Sequence, residues 1–280
     1  MRNTFVSLAC AAGAALAICT LTPSLPAQDV EPGFKSLFNG KDLSGWAGRT
    51  NHWSVEDGCI TGVTATNNPA KGNNFLIAQD GDKDLIVDDC EVRFSYKFSG
   101  PWGNSGLQYR SKNKGNFVVN GYQADFEVGT TYSGILYEEG GRGILAQRGQ
   151  QVVVKEALYI TDVKKVADAD TGKEKEVKTR REVAKDSPDA AYAKPETKID
   201  VTGKVGDTKE IQAGIQVNGW NEYVLIAKGN HLQHFINGKL TVDVTDEQES
   251  KAAKSGILAL QLHAGPPMKV QFKNVRIKKL

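Results

Sequence analysis

Strict alternation of apolar and polar side chains is the feature that most limits what this chain can fold into. In the segment 90–98, CEVRFSYKF, every second residue is apolar and the residues between them are polar or charged. Successive side chains of a β-strand point to opposite faces, so this pattern predicts a strand with one buried face. The segment 122–128, YQADFEV, repeats the pattern.

Further short strands are predicted along the rest of the chain. They are the segments 221–227, 231–236, 239–244, 256–263 and 269–278. Asn237-Gly238 predicts a tight hairpin turn between two of them, because both residues tolerate a positive φ. Many short strands, glycine-rich turns and little helical periodicity predict an all-β sandwich or jelly roll.

One segment departs from this pattern. Residues 155–210 are dense in Lys, Glu and Asp, poor in aromatic residues, and contain Pro188 and Pro195. Their apolar content is too low for an independent core. We therefore expect a mobile or loosely attached charged insertion within one domain that covers residues 28–280.

The first residues have the features of a secretory signal. Arg2 supplies a positive charge, residues 5–21 are apolar or small with no charge, and Ala27 precedes a polar stretch. This predicts a signal peptide over residues 1–27 and a protein that is exported, either to the periplasm or into the medium. The alternative is a membrane anchor, which needs about 20 apolar residues. No later stretch is long and apolar enough to span a membrane.

Charge and cysteine content narrow the partners further. The chain has 35 Lys and Arg against 33 Asp and Glu, with no basic face of the kind that nucleic acid requires. After removal of the signal, Cys59 and Cys90 remain. In an oxidising compartment such a pair can form a disulfide, although spacing alone does not show whether their β-carbons meet.

Three strands carry polar groups opposite apolar ones. These polar residues are Gln108 and Arg110 on the first strand, Gln123, Asp125 and Glu127 on the second, and Gln261 and His263 on the third. Guanidinium, carboxylate, amide and imidazole groups hold sugar hydroxyls and move protons. The alternative is that these are the ordinary solvated faces of a sandwich.

Asp125 and Glu127 are the strongest candidates for chemistry. Two residues apart on a strand, their side chains share a face and lie roughly 7 Å apart. The two carboxylates can then bracket a scissile bond, or join His263 around a divalent metal ion.

Other residues complete the candidate set. Trp102, next to a glycine in a loop, is suited to stacking on a sugar ring. Tyr137 lies in the glycine-rich segment 132–150, which either closes over a site or is a solvated connection. His234 has no partner visible in the sequence and is expected at the surface.

Several phrases of the sequence resemble a known family. They are GFKSLFNGKDLSGW at 33–46, WSVEDG at 53–58, NSGLQYR at 104–110, GYQADFE at 121–127 and GILALQLH at 256–263. Together they resemble the 3-keto-disaccharide hydrolase domain, with the match running over about residues 33–280. The resemblance implies a concanavalin A-like jelly-roll β-sandwich. It also implies a hydrolase acting on glycosides whose C3 hydroxyl has been oxidised to a ketone.

The resemblance further implies a polar concave face, which carries Arg110, Gln123, Asp125, Glu127, Gln261 and His263. We expect Glu127 or Asp125 to act as the base, and His263 as the acid or a metal ligand. Arg110 and Gln261 would bind the enolate or hydroxyls, with Gln108, Gln123, Tyr137 and Trp102 as further substrate contacts. The main alternative is a non-catalytic carbohydrate-binding module of an exported polysaccharide-processing system.

Overall fold

The computed structural model describes residues 31–168 and 171–280, which are almost entirely β. The predicted signal peptide, residues 1–27, lies outside the described residues. The strands are, in chain order, β1 Lys35–Ser36, β2 Trp46–Ala47, β3 Trp53–Glu56, β4 Cys59–Thr64, β5 Asn74–Asp80, β6 Lys83–Asp84, β7 Ile86–Val87, β8 Cys90–Ser99, β9 Asn104–Asn113, β10 Val119–Glu127, β11 Leu136–Glu139, β12 Gly143–Ala146, β13 Gln150–Ala167, β14 Glu174–Val183, β15 Lys194–Lys204, β16 Asn221–Lys228, β17 His231–Ile236, β18 Lys239–Asp246, β19 Gly256–Leu262 and β20 Met268–Lys279. A 3₁₀ helix spans Pro188–Tyr192 and an α-helix, α1, spans Thr208–Ala213.

These strands form two sheets, which confirms the predicted jelly-roll sandwich. The front sheet has the order β12-β11-β10-β9-β19-β5-β2, with β6 and β7 on its margins. The back sheet has the order β14-β13-β18-β17-β16-β8-β20-β4-β3, with β1 and β15 attached to it. In the described part of the chain, no helix is long and apolar enough to cross a membrane.

The core lies between the two sheets and is built by the alternation seen in the sequence. The apolar residues of β8, from Cys90 to Phe98, are at most 3% exposed. Phe94 of β8 stacks on Tyr223 at 5.3 Å between ring centroids, and Tyr96 stacks on Phe126 of the front sheet at 4.0 Å. Each large side chain buried in this way contributes roughly 1.5–3 kcal/mol to folding.

His234 belongs to this core, so its expected position at the surface is wrong. The side chain is fully buried, with Nε2 at 3.1 Å from the hydroxyl of Tyr109 and Nδ1 at 3.1 Å from the hydroxyl of Tyr223. Its partners come from other strands, which the sequence around His234 does not reveal. Burial lowers the pKa of His234 from 6.5 to about 3, because the charged imidazolium is poorly solvated there.

This shift predicts a loss of stability in acid. Below pH 6.5 the unfolded chain binds a proton at His234, whereas the folded protein does not until about pH 3. The free energy of unfolding should therefore fall as the pH drops through this window, by up to about 1.4 kcal/mol per pH unit from this group. Urea unfolding of wild type and His234→Gln at a series of pH values measures the effect. Parallel curves for the two proteins would contradict it.

The charged segment forms paired strands, which its composition does not predict. Residues 158–167 of β13 pair with β14, and residues 150–159 of β13 pair with β15. Backbone hydrogen bonds between strands thus organise the segment without an apolar core of its own. We call the paired residues 158–167 and 174–183 the charged ribbon.

The proposed disulfide is also wrong, because Cys59 and Cys90 are both free and buried. β20 separates their two strands in the back sheet. Ile60, next to Cys59, pairs with Phe272 of β20, whereas Cys90 pairs with Lys279. That offset along β20 corresponds to about 20 Å, far beyond the reach of a disulfide.

Candidate functional site

Polar side chains on the outer face of the front sheet are buried, which an ordinary solvated face would not be. Gln108, Gln123, Asp125 and Gln261 are each at most 5% exposed. Gln123 of β10 pairs directly with Gln108 of β9, so their side chains share a face. Burying such groups is costly unless they bind one another or a ligand. These four residues form one hydrogen-bonded cluster with Asn73, Asn104 and Glu139. We call this cluster the amide–carboxylate network.

Asp125 is the first carboxylate of the network. Gln123 donates a hydrogen bond from Nε2 to Oδ2 of Asp125 at 2.9 Å, and Asn104 donates from Nδ2 to Oδ1 at 3.2 Å. The amide groups of Gln108 and Gln123 are in contact at 2.6 Å. Gln123 Nε2 also lies 3.5 Å from Oε1 of Gln261 on β19. The alternation in the sequence therefore identified residues that do meet in space.

Glu139 of β11 is the second carboxylate. Gln261 donates from Nε2 to Oε2 of Glu139 at 3.0 Å, and Asn73 donates from Nδ2 to both carboxylate oxygens at 3.3 Å. The Oδ1 atom of Asn73 accepts a hydrogen bond from the backbone N–H of Ala264 at 3.0 Å. Asn73 thus connects Glu139 to the turn that follows His263.

Sequence reasoning did not select Glu139, Asn73 or Asn104. The sequence does contain one indication that Glu139 belongs to the site. It lies two residues after Tyr137, so the two side chains share a face of β11. Tyr137 pairs with Gln123, which places that face beside the network. Asn73 precedes β5 and has no pattern that would reveal its contact with β11.

The pKa values of both carboxyl groups are raised. Burial raises the pKa of Asp125 well above its usual value, and the charges of Glu127 and Glu139 raise it further against the hydrogen bonds from Gln123 and Asn104. Burial also raises the pKa of Glu139, opposed by Asn73, His263 and Gln261. Two interacting carboxyl groups with raised pKa values are typical of a site that transfers protons.

His263, Trp102 and Tyr137 lie around the carboxylates. Nδ1 of His263 contacts the backbone carbonyl of Ala264 at 2.5 Å, which leaves Nε2 as the ring nitrogen for a substrate. The ring of Trp102 meets the His263 ring edge-on at 6.1 Å between centroids. The pKa of Tyr137 is raised by burial and by the nearby carboxylates of Glu139 and Asp125.

Gly106 allows the network to form. It pairs with Asp125 across β9 and β10, and the side chain of Gln123 lies over it. A β-carbon at this position would come within 2.4 Å of Cγ of Gln123. The absence of a side chain at residue 106 therefore positions Gln123 between Asp125 and Gln261.

We expect Gly106→Ala to displace Gln123, destabilise the protein by about 1–3 kcal/mol and lower any activity of the site. Urea unfolding measures the first effect. Gly72→Ala is the matched control, because nothing lies within 4 Å of its added β-carbon. The account of Gly106 fails if the two variants are equally stable.

Arg110 does not belong to the network, contrary to the expectation. Its φ of 46° interrupts the alternation of β9, so Ser111 takes the face beside Gln108, where its Oγ lies 2.9 Å from the Gln108 side-chain amide. The Arg110 guanidinium points to the other side, where it donates to the carbonyl of Gly229 at 2.6 Å and to Asp89 at 2.8 Å. There it lines a separate cavity of about 530 Å³.

Glu127 lies at the edge of the network. Its Oε1 accepts hydrogen bonds from the backbone N–H groups of Thr131 and Tyr132 at 2.6 and 2.9 Å. The Glu127 carboxylate therefore stabilises the turn after β10. The position in the network that the sequence predicts for Glu127 is occupied by Glu139.

The metal-ligand set that the sequence left as a possibility does not form. Within residues 31–168 and 171–280, no three His, Cys, Asp or Glu side chains lie close enough to hold a metal ion. Asp125 is bound by amides, Glu127 by the turn and His263 Nδ1 by a carbonyl. Asp125, Glu127 and His263 therefore do not fit a divalent cation in this arrangement.

Comparison with known proteins gives a family match over most of the chain. A family model described as a 3-keto-alpha-glucoside-1,2-lyase-like domain matches residues 33–278. No curated protein matches the sequence.

Solved structures of low sequence identity also match this chain. A provisionally assigned glycosyl hydrolase of Parabacteroides distasonis is 15% identical, with a TM-score of 0.48, and covers 88% of this chain and 99% of its own. A Bacillus subtilis protein of unknown function with a galectin-like fold is 12% identical, with a TM-score of 0.48, and covers 88% and 94%. The carbohydrate-binding module CBM66 of Bacillus subtilis is 12% identical, with a TM-score of 0.41, and covers 88% and 96%.

Proposed function

Because the chain belongs to the 3-keto-alpha-glucoside-1,2-lyase-like family, we propose that it cleaves glycosides whose C3 hydroxyl has been oxidised to a ketone. The family gives the protein a carbohydrate-related function. The observation that carries the specific proposal is a pair of carboxyl groups, the buried Asp125 and the half-buried Glu139, linked through Gln123 and Gln261.

The chemistry of a 3-keto glycoside requires few groups. The ketone makes the C2 proton acidic and places the glycosidic oxygen β to the carbonyl. A base removes the C2 proton, an enolate forms at C2–C3, and the C1–O bond then breaks with its electron pair on the leaving oxygen. The leaving oxygen takes a proton, and the sugar remains as an enone. Addition of water across the enone completes a net hydrolysis.

We assign the base to Glu139. Its carboxylate is held on both oxygens by Asn73 and on one by Gln261, so its position is fixed. A raised pKa makes this carboxylate a stronger proton acceptor than an exposed one. A base works best when its pKa approaches the working pH.

We assign the enolate-stabilising donor to Asp125. Burial raises the pKa of Asp125 and so favours the neutral carboxyl group, which can donate a hydrogen bond to the developing negative charge on the C3 oxygen. Donors aimed at charge that develops in the transition state are among the largest contributors to catalysis. The amides of Gln108, Gln123 and Gln261 are suited to binding sugar hydroxyls.

His263 is the acid of the proposal. In its protonated form both ring nitrogens donate, with Nδ1 held by the carbonyl of Ala264 and Nε2 left for the leaving oxygen. Asn73 hydrogen-bonds both Glu139 and the backbone of Ala264, the residue after His263, and the charge of His263 lowers the pKa of Glu139. Trp102, edge-on to His263, forms a wall against which a sugar ring can pack.

The test is incubation of the purified protein with 3-keto-trehalose, with a 3-keto glucoside and with the two unoxidised sugars. The proposal predicts release of the aglycone from the keto sugars only. Saturable binding of both kinds of sugar without turnover would instead support a carbohydrate-binding module, a reading that the three buried amides also favour. Turnover of the unoxidised sugars would contradict the proposed chemistry.

We also propose that the protein acts after export, with cleavage following Ala27. The support is the charged and apolar pattern of residues 1–27. N-terminal sequencing of protein recovered from the periplasm or medium should begin at Gln28. An intact Met1 in the recovered protein would overturn this proposal.

A further inference from the structure

The charged ribbon ends in a strand edge that has no partner in the described structure. All but the last residue of β14 are exposed, so neither face of the strand is packed. Among residues 31–168 and 171–280, β14 pairs only with β13. Its outer edge therefore presents free backbone N–H and C=O groups, which are a template for pairing with another strand. A two-stranded ribbon without a packed face is also only marginally stable in water.

The charges on β14 are ordered along one face. From residue 174 to residue 180 its even-numbered residues are first acidic and then basic, in the order Glu174, Glu176, Lys178 and Arg180, and Glu182 follows them near the end of the strand. When two identical strands pair antiparallel about a two-fold axis, directly opposed residues lie on the same face. With the axis at Val177, Glu176 faces Lys178 of the second copy and Glu174 faces Arg180 of the second copy. Each of these favourable pairs occurs twice.

Neighbouring registers place like charges opposite each other. With the axis at Lys178, Lys178 faces its own counterpart, Lys175 faces Arg181 and Glu174 faces Glu182, against a single kind of favourable contact, Glu176 with Arg180. With the axis at Thr179, Lys178 faces Arg180 and Glu176 faces Glu182. Like charges directly opposed across strands are destabilising. The order of charges therefore selects the register that is centred on Val177.

We propose that two copies of this protein associate through antiparallel pairing of β14, centred on Val177, so that their back sheets join into one. Val177 is 41% exposed in the single chain and is covered by its own counterpart in the dimer. The existing ribbon ion pairs Lys165–Glu174 and Arg180–Glu196 are largely exposed, so their rearrangement costs little. A two-fold contact uses the same edge of both copies, which ends the assembly at two.

Analytical ultracentrifugation of the mature chain at low salt over a range of concentrations tests the proposal. Wild type should form a dimer. Glu176→Lys should weaken the association at least about tenfold, because two favourable pairs become Lys–Lys contacts. The double variant Glu176→Lys/Lys178→Glu should restore it, because the pairs are re-formed with their signs exchanged. Asp82→Lys, an exposed residue in the turn between β5 and β6 of the front sheet, is the charge-matched control and should associate like wild type.

Cross-linking provides a second readout that depends on the register. Val177→Cys places two thiols opposite each other in the proposed dimer, and mild oxidation should yield a disulfide-linked pair. Val163→Cys, which is 51% exposed but lies on β13, the strand of the ribbon outside the proposed contact, should not cross-link. A wild-type protein that remains monomeric, or a dimer in which the single and double charge variants behave alike, would overturn the proposal.

Discussion

Replacing Glu139 with glutamine is expected to lower kcat/KM on a 3-keto glucoside by about 10²–10⁴-fold, the usual contribution of a positioned base. Glutamine keeps the size of the side chain and an oxygen that can accept from Asn73 or Gln261, but it cannot take up the C2 proton. The loss should therefore appear in kcat, with little change in sugar binding. Steady-state kinetics together with calorimetric binding measure the two quantities separately.

Glu127→Gln is the matched control for this experiment. The carboxylate of Glu127 holds the turn at Thr131 and Tyr132, and a glutamine oxygen can accept the same two hydrogen bonds. We expect its activity to stay within about threefold of wild type, because no proton transfer is assigned to it. The opposite pattern, with Glu127→Gln inactive and Glu139→Gln active, would identify Glu127 as the base.

Arg110→Met is expected to lower the free energy of unfolding by about 3 kcal/mol, since it leaves buried acceptors without donors. The fully buried guanidinium donates to the backbone carbonyls of Asp88 and Gly229 and to the side chain of Asp89. These hydrogen bonds connect β9 to the segment before β8 and to the segment after β16. Urea unfolding at neutral pH measures the loss.

Arg93→Met is the control for Arg110. Arg93 is a partly exposed residue of β8 with ion pairs to Glu31 and Glu91, and such pairs contribute less than about 1 kcal/mol. The folded fraction of Arg110→Met should retain its kcat/KM. A variant that is as stable as wild type but has lost sugar binding would show that Arg110 contacts the substrate after all.

The sandwich was predictable because its strands are regular. The side chains of β8 alternate without interruption, and burial follows that alternation residue by residue. The same alternation predicted that the outer faces of three strands carry Gln108, Gln123, Asp125 and Gln261. The three strands are neighbours in one sheet because of the sheet topology. Strand periodicity alone does not predict that topology.

Arg110 and the charged segment show where local pattern misleads. One residue with a positive φ reverses the alternation of β9, and an arginine has no sequence signal for that conformation. For the segment 155–210, low apolar content argued against ordered structure. Strand pairing with β13 nevertheless organises it, because backbone hydrogen bonds do not require apolar side chains.

Glu139, Asn73 and the core position of His234 depend on contacts between distant parts of the chain. Glu139 and Asn73 are 66 residues apart, and His234 and Tyr109 are 125 residues apart. Such contacts follow from which strands and loops are neighbours in space. The sequence pattern therefore identified Gln108, Gln123, Asp125 and Gln261 of the amide–carboxylate network, but not Asn73, Asn104 and Glu139.

The most direct test of the proposed chemistry is cleavage of a 3-keto glucoside that carries deuterium at C2. Removal of the C2 proton by Glu139 predicts slower release of the aglycone than from the unlabelled sugar, with the deuterium lost to solvent in the product. Release at an unchanged rate with deuterium retained at C2 would show that the glycosidic bond breaks without proton removal at C2, and would contradict the account.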